Sequence, residues 1–486
     1  MNRRTFVGMA AASSIALAAR FGRGESAKPA GGKDQGRGDD LQTRWQKLDS
    51  TIRGWWDGDL RHADEAAIRN DAEKTLLFLP CPYCSGGGSE AAFPGLYGWD
   101  TQFVNLALLV HGRTDIVRWH ILDQLSMIDR FGMVLNGNRT YYLTRSQPPL
   151  LAWSVENYLA VKDDEELALQ AYASLRREYA SYWNGPDHAT PTGLSTCRDA
   201  ACKDLRQELA AAAEAGVDFT PIFDGDVRHC VPINVNAALV YQAKVLSSLA
   251  VRFGWSKEAA RWHQEADLRG QRINQYCWDE SKGFYFEYDY VRKKSLPFYS
   301  LNGFWPLWAG IASKGQASRV VEQLRLFDQP FGLAFTDRQY PSPHPEFAFN
   351  QWAYPEAWPP EQILVALALR RYDFRDEMCR ISLRYIRNVV ETYERTGLLW
   401  ERYNAVAGGH EVPIEREAPA PLHGFTSASA VMVGRSAFGL ELEPPPARRS
   451  NGAGGQAGSK RLSSCAVRKG KPALQPLEDN SLTLGS

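Results

Sequence analysis

The 486-residue chain lacks a charge of either sign to spare: 56 basic side chains balance 56 acidic ones. That balance removes the electrostatic case for nucleic acid or an anionic membrane as partner. It also lacks a long hydrophobic run. The most apolar stretch, Gly8 to Ala19, is too short to span a bilayer, so no stable membrane partner is expected. Cysteine and histidine are sparse, with 8 and 9 residues. Cys81-Pro-Tyr-Cys84 has no second Cys-x-x-Cys and no His-x-x-x-His to complete a zinc site, so it is expected to be a loop disulfide or two free thiols. No metal and no cofactor is expected.

The chain is rich in aromatic residues, 12% of it and 15 of them tryptophan. That suits a large core and also platforms for sugar rings. Asn2-Arg-Arg-Thr-Phe-Val ahead of the small apolar run has the layout of an export signal of the twin-arginine type, predicted over residues 1–27, which implies a periplasmic or secreted protein. A linker is predicted over 28–42, a folded domain over 43–442 and a disordered tail over 443–486, where Pro-Pro-Pro-Ala-Arg-Arg opens a stretch that cannot bury a core.

Apolar residues at three- and four-residue spacings predict helices over 115–132, 149–161, 164–183, 235–253, 257–277, 316–327, 360–370 and 376–396. Phe284-Tyr-Phe-Glu-Tyr, after the Gly283 turn, is the best strand signal. Long helices come in pairs, with aromatic and Gly/Pro-rich loops after every second one, at a spacing of roughly 50–60 residues. The fold class predicted is all-α, an (α/α)6 barrel: a toroid of helical hairpins whose inner helices present loops to one mouth. A plain helical solenoid gives similar periodicity but does not require loops so rich in Trp, Asn and Arg.

Two loops stand out, Asn136-Gly-Asn-Arg-Thr-Tyr-Tyr-Leu-Thr-Arg-Ser-Gln-Pro-Pro149 and Gln351-Trp-Ala-Tyr-Pro-Glu-Ala-Trp-Pro-Pro360. Their side chains stack on sugar rings and hydrogen-bond hydroxyls. Asp218 in Gly-Val-Asp-Phe and Glu401 in Trp-Glu-Arg-Tyr are carboxylates among aromatic groups. Two facing carboxylates suffice to hydrolyse a glycosidic bond, one protonating the leaving oxygen and the other activating water. The alternatives are a helix cap for Asp218 and an ion pair with Arg402 for Glu401. Arg145 is either a two-pronged sugar contact or a structural ion-pair arginine. Trp352 and Trp358 are either core or, because Pro355 and Pro359-Pro360 keep their stretch irregular, rim platforms for sugar.

Together Trp99-Asp100, Asn136–Pro149, Gly216–Phe219, Gln351–Pro360 and Glu401–Tyr403 resemble, in order and spacing, the trehalases of glycoside hydrolase family 37, which share fold and clan with the family 63 α-glucosidases. The resemblance covers roughly residues 76–441. It implies an inverting glycosidase in an (α/α)6 barrel, with Asp218 as acid and Glu401 as base. Trp99, Asp100, Asn136, Arg145, Gln147 and the backbone at Gly216 fall on sugar-binding positions, and an additional family Glu falls on Glu411, with Glu415 and Glu417 as alternatives. There are departures. Ala92 stands where the family has an arginine; residues 183–197 contain no arginine, Arg198 lying just beyond; Val217 replaces a Trp and Ala353 an Asp. The function expected is α,α-trehalase, acting as a monomer on a small sugar. The alternatives are a clan enzyme for another α-glucoside, such as glucosylglycerate, and a non-catalytic sugar-binding toroid.

Overall fold

The computed structural model describes residues 35–88, 93–199, 206–344, 350–412 and 419–442. The export signal, Ala92, Glu415, Glu417 and the tail from 443 lie outside the described residues. Fourteen α-helices are present among those described. In chain order they are α1 (Gln35–Trp55), α2 (Glu65–Asn70), α3 (Asp100–Val110), α4 (Thr114–Phe131), α5 (Leu151–Val161), α6 (Glu165–Glu178) and α7 (Gln207–Glu214). They continue with α8 (Ile233–Arg252), α9 (Ser256–Cys277), α10 (Trp305–Trp308), α11 (Lys314–Glu322), α12 (Pro359–Arg371), α13 (Arg375–Thr396) and α14 (Gly424–Ala437). Helix α1 starts inside the stretch expected to be linker.

Burial sorts these helices into two rings. Helix α14 is buried along its whole length except at Arg435, and α12 is buried from Pro359 through Ala366, so neither has a solvent face. Helices α9 and α13 instead bury one stripe: Ala259, Trp262, Ala266, Arg269, Ile273 and Cys277 on the first, Met378, Ile381, Tyr385 and Val389 on the second. A stripe at three- and four-residue spacing is what an outer helix needs, whereas an inner helix must be apolar or small all round. Contacts close the inner ring: α3 packs on α5, α5 on α8, α8 on α10, α10 on α12, α12 on α14, and α14 returns to α3. Outer helices back them, α4 against α3 and α5, α9 against α8, α13 against α12 and α14, and α1 against α13 and α14. This is the (α/α)6 barrel expected.

Helix ends follow local chemistry. Asp164 caps α6 by accepting from the Leu167 amide at 3.1 Å, and Ser313 and Gln316 form a reciprocal capping box on α11. All eight helices expected from periodicity are present; α1, α2, α3, α7, α10 and α14 were not anticipated as helices. The single strand expected at Phe284-Tyr-Phe-Glu-Tyr is instead two short ones. β5 (Phe284–Tyr285) pairs with β4 (Trp278–Asp279), and β6 (Tyr288–Asp289) pairs with β3 (Cys230–Val231) and β7 (Lys294–Ser295). Neither pairing extends beyond two residues, because the chain at Phe286-Glu287 turns its side chains into the barrel, where both are 1% exposed.

Cys81 and Cys84 are buried and not joined in a disulfide, nor are the buried Cys197, Cys230 and Cys277, and burial pushes the Cys84 thiol up. Among the described residues no helix is long and apolar enough to cross a membrane.

Candidate active site

Each segment singled out in the sequence lies just ahead of an inner helix: Trp99 before α3, Asn136–Pro149 before α5, Gly216–Phe219 before α8, Gln351–Trp358 before α12 and Glu401–Glu411 before α14.

The segment that carries Asp218 is pinned by backbone. After α7 ends, the Ala215 carbonyl accepts from Asn234 Nδ2 at 2.8 Å and Gly216 turns at φ +75°. A Cβ at Gly216 would come within 3.0–3.2 Å of Pro148 and the Trp99 indole, so only glycine permits both the turn and this approach. Val217 is fully buried, in the place where the resemblance expects a tryptophan. Asp218 caps no described helix; it sits in the turn that follows. The next two residues tie the Asp218 loop to the 351–360 loop, the second signature, the Phe219 carbonyl accepting from the Gln351 amide at 3.0 Å and Thr220 Oγ1 donating to the Trp352 carbonyl at 2.9 Å.

That same segment also pairs with the chain beside Glu401. β10 (Glu356–Ala357) pairs antiparallel with β11 (Tyr403–Asn404), placing Glu356 opposite Asn404, three residues past Glu401. The Glu401 amide donates to the Ala420 carbonyl at 2.8 Å. Asp218 and Glu401 are therefore joined through one short segment, residues 351–357. Arg402 completes the link. It is 2% exposed, donates through Nη1 to Glu401 Oε2, and places Nε 3.1 Å from Oε1 of Glu356. Its guanidinium lies over the Trp358 ring at 5.2 Å from the centroid. The ion pair weighed as an alternative for Glu401 is thus present.

The electrostatics gather three carboxyl groups. Asp100 and Asp218 keep a fraction of their surface open to solvent, yet protein packed around them strips most of their hydration. Burial raises the Asp218 pKa above the ordinary carboxyl value, against the opposing pull of its own backbone amide, Arg145 and Arg402. Burial also raises Asp100, to about 7, its backbone hydrogen bond lowering it and the charges of Glu401 and Asp218 adding to the rise. Asp100 lies within Coulombic reach of both Glu401 and Asp218, and the guanidinium groups of Arg145 and Arg402 lie within reach of Asp218. A carboxyl that burial makes a weaker acid and another held against a fixed cation suit the two halves of acid–base catalysis.

The other residues expected at the site divide. Trp99, 2% exposed, stacks on Trp305 and takes the Gln147 side-chain oxygen on its amide at 3.1 Å. Arg145 donates to Asn136 Oδ1 at 2.9 Å and pairs with Asp199 at 3.3 Å, over the ring of Tyr142. Those residues adjoin the acid. Trp352 and Trp358 are not rim platforms: they are 4% and 2% exposed and stack face to face at 3.8 Å. The prolines that keep their stretch irregular fold it inward over Thr220 and Arg402, not outward to solvent. Glu411 is exposed, and its carbonyl accepts from Asn404 Nδ2, so its contribution to the described structure is a loop bond. A small cleft opens beside Asp100, lined also by Asp59, Cys84, Tyr97 and Gly424 but by neither Asp218 nor Glu401.

Sequence reasoning missed Glu356 and Glu361, buried carboxyls whose burial raises them to about 7 and about 8. It missed Asp199 and Glu214 as well. Glu361 follows Pro359-Pro360 and reads as an ordinary acidic residue in a helix first turn. Only the fold shows that the Trp305 indole donates to it at 3.2 Å.

Comparison with known proteins bears on this geometry. A periplasmic trehalase of Pseudomonas aeruginosa is 28% identical over 422 residues, 76% of this chain and 73% of that protein. Cytosolic neutral trehalases of Kluyveromyces lactis and Saccharomyces cerevisiae are each 28% identical, over 67% and 78% of this chain. This chain spans 51% and 59% of those two proteins. In structure, a neutral trehalase from Saccharomyces cerevisiae superposes with a TM-score of 0.69 at 22% identity, over 81% of this chain and 94% of that one. A family 63 mannosylglycerate hydrolase from Thermus thermophilus does so with 0.54 at 17% identity, over 81% and 99%. The sequence model of the trehalase family matches residues 27–207 and 198–426, and by that match over most of its length the chain belongs to the trehalase family.

Proposed function

We propose that the protein is an inverting glycoside hydrolase that cleaves trehalose into two glucose molecules. The observation that carries the reading is the convergence of Asp218, raised by burial, with Glu401, held by Arg402, in a barrel of this family. Asp218 gives its proton to the glycosidic oxygen. Glu401 takes a proton from water as that water attacks the anomeric carbon from the opposite face. Asp100, poised near neutrality, can accept from or donate to a sugar hydroxyl, and Arg145 with Asn136 and Gln147 orients the ring next to the acid. Trp99 closes the apolar wall.

The relatives include periplasmic and cytosolic enzymes. The Arg-Arg signal of this chain favours the periplasm. The test is glucose release by purified protein from trehalose, kojibiose, nigerose, maltose and glucosylglycerate. Trehalose is expected to be the best substrate, and turnover of glucosylglycerate without trehalose would replace this reading with the clan alternative.

A further inference from the structure

Four residues before Asp218, at the last turn of α7, Glu214 is fully buried and meets three other parts of the site. Its Oε1 accepts from the Ser146 amide at 3.1 Å and from the Tyr182 hydroxyl. Its Oε2 accepts from the Arg198 amide at 2.7 Å and faces His188 Nε2 at 2.9 Å. Ser146 follows Arg145, and Arg198 precedes Asp199, the ion-pair partner of Arg145. One carboxylate thus fastens both halves of the Arg145–Asp199 pair to the helix that delivers Asp218. Between Glu214 and Asp218 the chain has little freedom, since Ala215 is bonded to Asn234 and Gly216 is wedged against Pro148 and Trp99.

We propose that Glu214 is a positioning residue for the acid: it sets the placement of Arg145 and Asp199 relative to Asp218 and so governs the protonation and geometry of the proton donor. This rests on the acid assignment made above. The chemistry demands a carboxylate. Each oxygen meets a backbone N–H, which can only donate, so both positions must be acceptors. A glutamine of the same shape would turn its NH2 toward either Ser146 or Arg198 and oppose donor to donor, leaving a buried amide unpaired. The segment that yields carries Arg145 or the partner of Arg145.

The sign of the effect follows. Among the groups that face Asp218, Arg145 and Arg402 favour its ionised form, while Asp100 and Tyr142 lie within reach of its charge. When Arg145 relaxes away, Asp218 holds its proton to higher pH, and the upper limb of the kcat/KM profile, which reports the essential acid, moves upward.

The experiment is the pH dependence of kcat/KM on trehalose for wild type, Glu214→Gln, Tyr182→Phe and Asp218→Asn, with melting temperatures alongside. Glu214→Gln is expected to lose about 10²-fold in kcat/KM, the scale of a misplacement near 1 Å, with the upper limb displaced to higher pH. Tyr182→Phe, which removes one neutral donor, is expected to lose about fivefold with a displacement of the same sign. A merely structural role lowers the melting temperature and leaves the limb in place; folded Glu214→Gln with that behaviour overturns the proposal. If Glu214→Gln does not fold, Tyr182→Phe decides on the same criterion, an unmoved limb overturning it. Asp218→Asn separates the two levels of inference. An active Asp218→Asn removes the acid assignment and this proposal with it, whereas an inert one beside an unaffected Glu214→Gln removes this proposal alone.

Discussion

Arg402 turns back along the chain to donate to the carboxylate of its immediate neighbour, Glu401, while its Nε faces Glu356. An arginine buried between two carboxylates is a joint between the second signature and the base, and its removal strands charge on both sides.

Arg402→Met is therefore expected to destabilise the protein by about 3–5 kcal/mol, the cost of breaking a buried ion pair by deleting one partner. Adding Glu356→Gln should restore part of that stability, because one of the stranded carboxylates is then neutral, while turnover stays low because Glu401 still lacks its partner. Urea unfolding and trehalose turnover of the single and double variants check this. An Arg402→Met protein as stable as wild type would show that the joint bears no energy.

Asp218→Asn and Glu401→Gln remove the proton donor and the base without changing shape. Each should lower kcat by about 10²–10⁴-fold with little change in melting temperature. Because burial raises the Asp218 pKa, asparagine removes a charge that the folded chain already disfavours, and its melting temperature should be the less disturbed of the two. Near-wild-type turnover by either variant would remove that residue from the mechanism.

Inversion has its own signature on trehalose. Water attacks one anomeric carbon from the face opposite the leaving group, so one glucose emerges as β and the other, released with its bond to oxygen intact, as α. Proton NMR of a fresh digest should show the two anomers in equal amounts before mutarotation. The carboxyl groups should then stand about 6.5–9.5 Å apart, room enough for the water. Initial release of α-glucose alone would mean retention.

The outer ring of the barrel was legible because helices such as α9 and α13 must show water one face and the core the other, and that asymmetry is written as periodicity. Helices α3 and α14 escaped for the complementary reason. Asp100-Thr-Gln-Phe-Val-Asn and Gly424-Phe-Thr-Ser-Ala-Ser-Ala are surrounded on all sides, so small and polar residues serve as well as apolar ones and no period survives. Helix α7 has too few turns, and too many alanines, to show a stripe. At the site, Asp218, Glu401, Arg145 and Trp99 were legible through motifs, since each sits in a run of uncommon residues. Glu214, Glu356 and Asp199 act through partners distant in sequence, 68 residues in the case of Glu214 and Ser146, and no local pattern encodes such a contact. Trp352 and Trp358 misled for a related reason. Prolines around them forecast an irregular chain but not the direction in which it folds.

That burial makes Trp352 and Trp358 a test of structure against binding. Trp358→Ala should cost about 3–5 kcal/mol, as for large aromatic truncations in a packed core, and should also loosen Arg402, which rests on its ring. An exposed sugar platform would instead lose affinity at almost constant stability. Urea midpoints and KM measured together on Trp352→Ala and Trp358→Ala discriminate the two, and unchanged midpoints would return both residues to the rim.

The buried carboxyls predict an unusual dependence of stability on pH. Burial raises Glu178, Glu287 and Glu356 to about 7 and Glu361 to about 8, well above their ordinary value near 4.5. Between those limits the folded chain holds protons that the unfolded chain has released. Their favourable contribution is complete below the unfolded value and is lost as pH rises through 7 to 8. The opposite sign holds for Asp279, brought to about 2 chiefly by Ser281 and Lys282 against burial, and for Asp71, Asp164 and Asp226, lowered by arginines despite burial. Those contribute above the ordinary carboxylate value and are lost only in strong acid. The urea midpoint should accordingly peak on the acid side of neutrality, near about pH 5, and decline steadily to about pH 8. Glu361→Gln keeps an oxygen to accept from the Trp305 indole but cannot ionise, so it should flatten the upper part of that decline. A midpoint that stays level or rises between about pH 5.5 and 8 would mean that these carboxyls are charged in the folded protein, with Glu361 foremost among them.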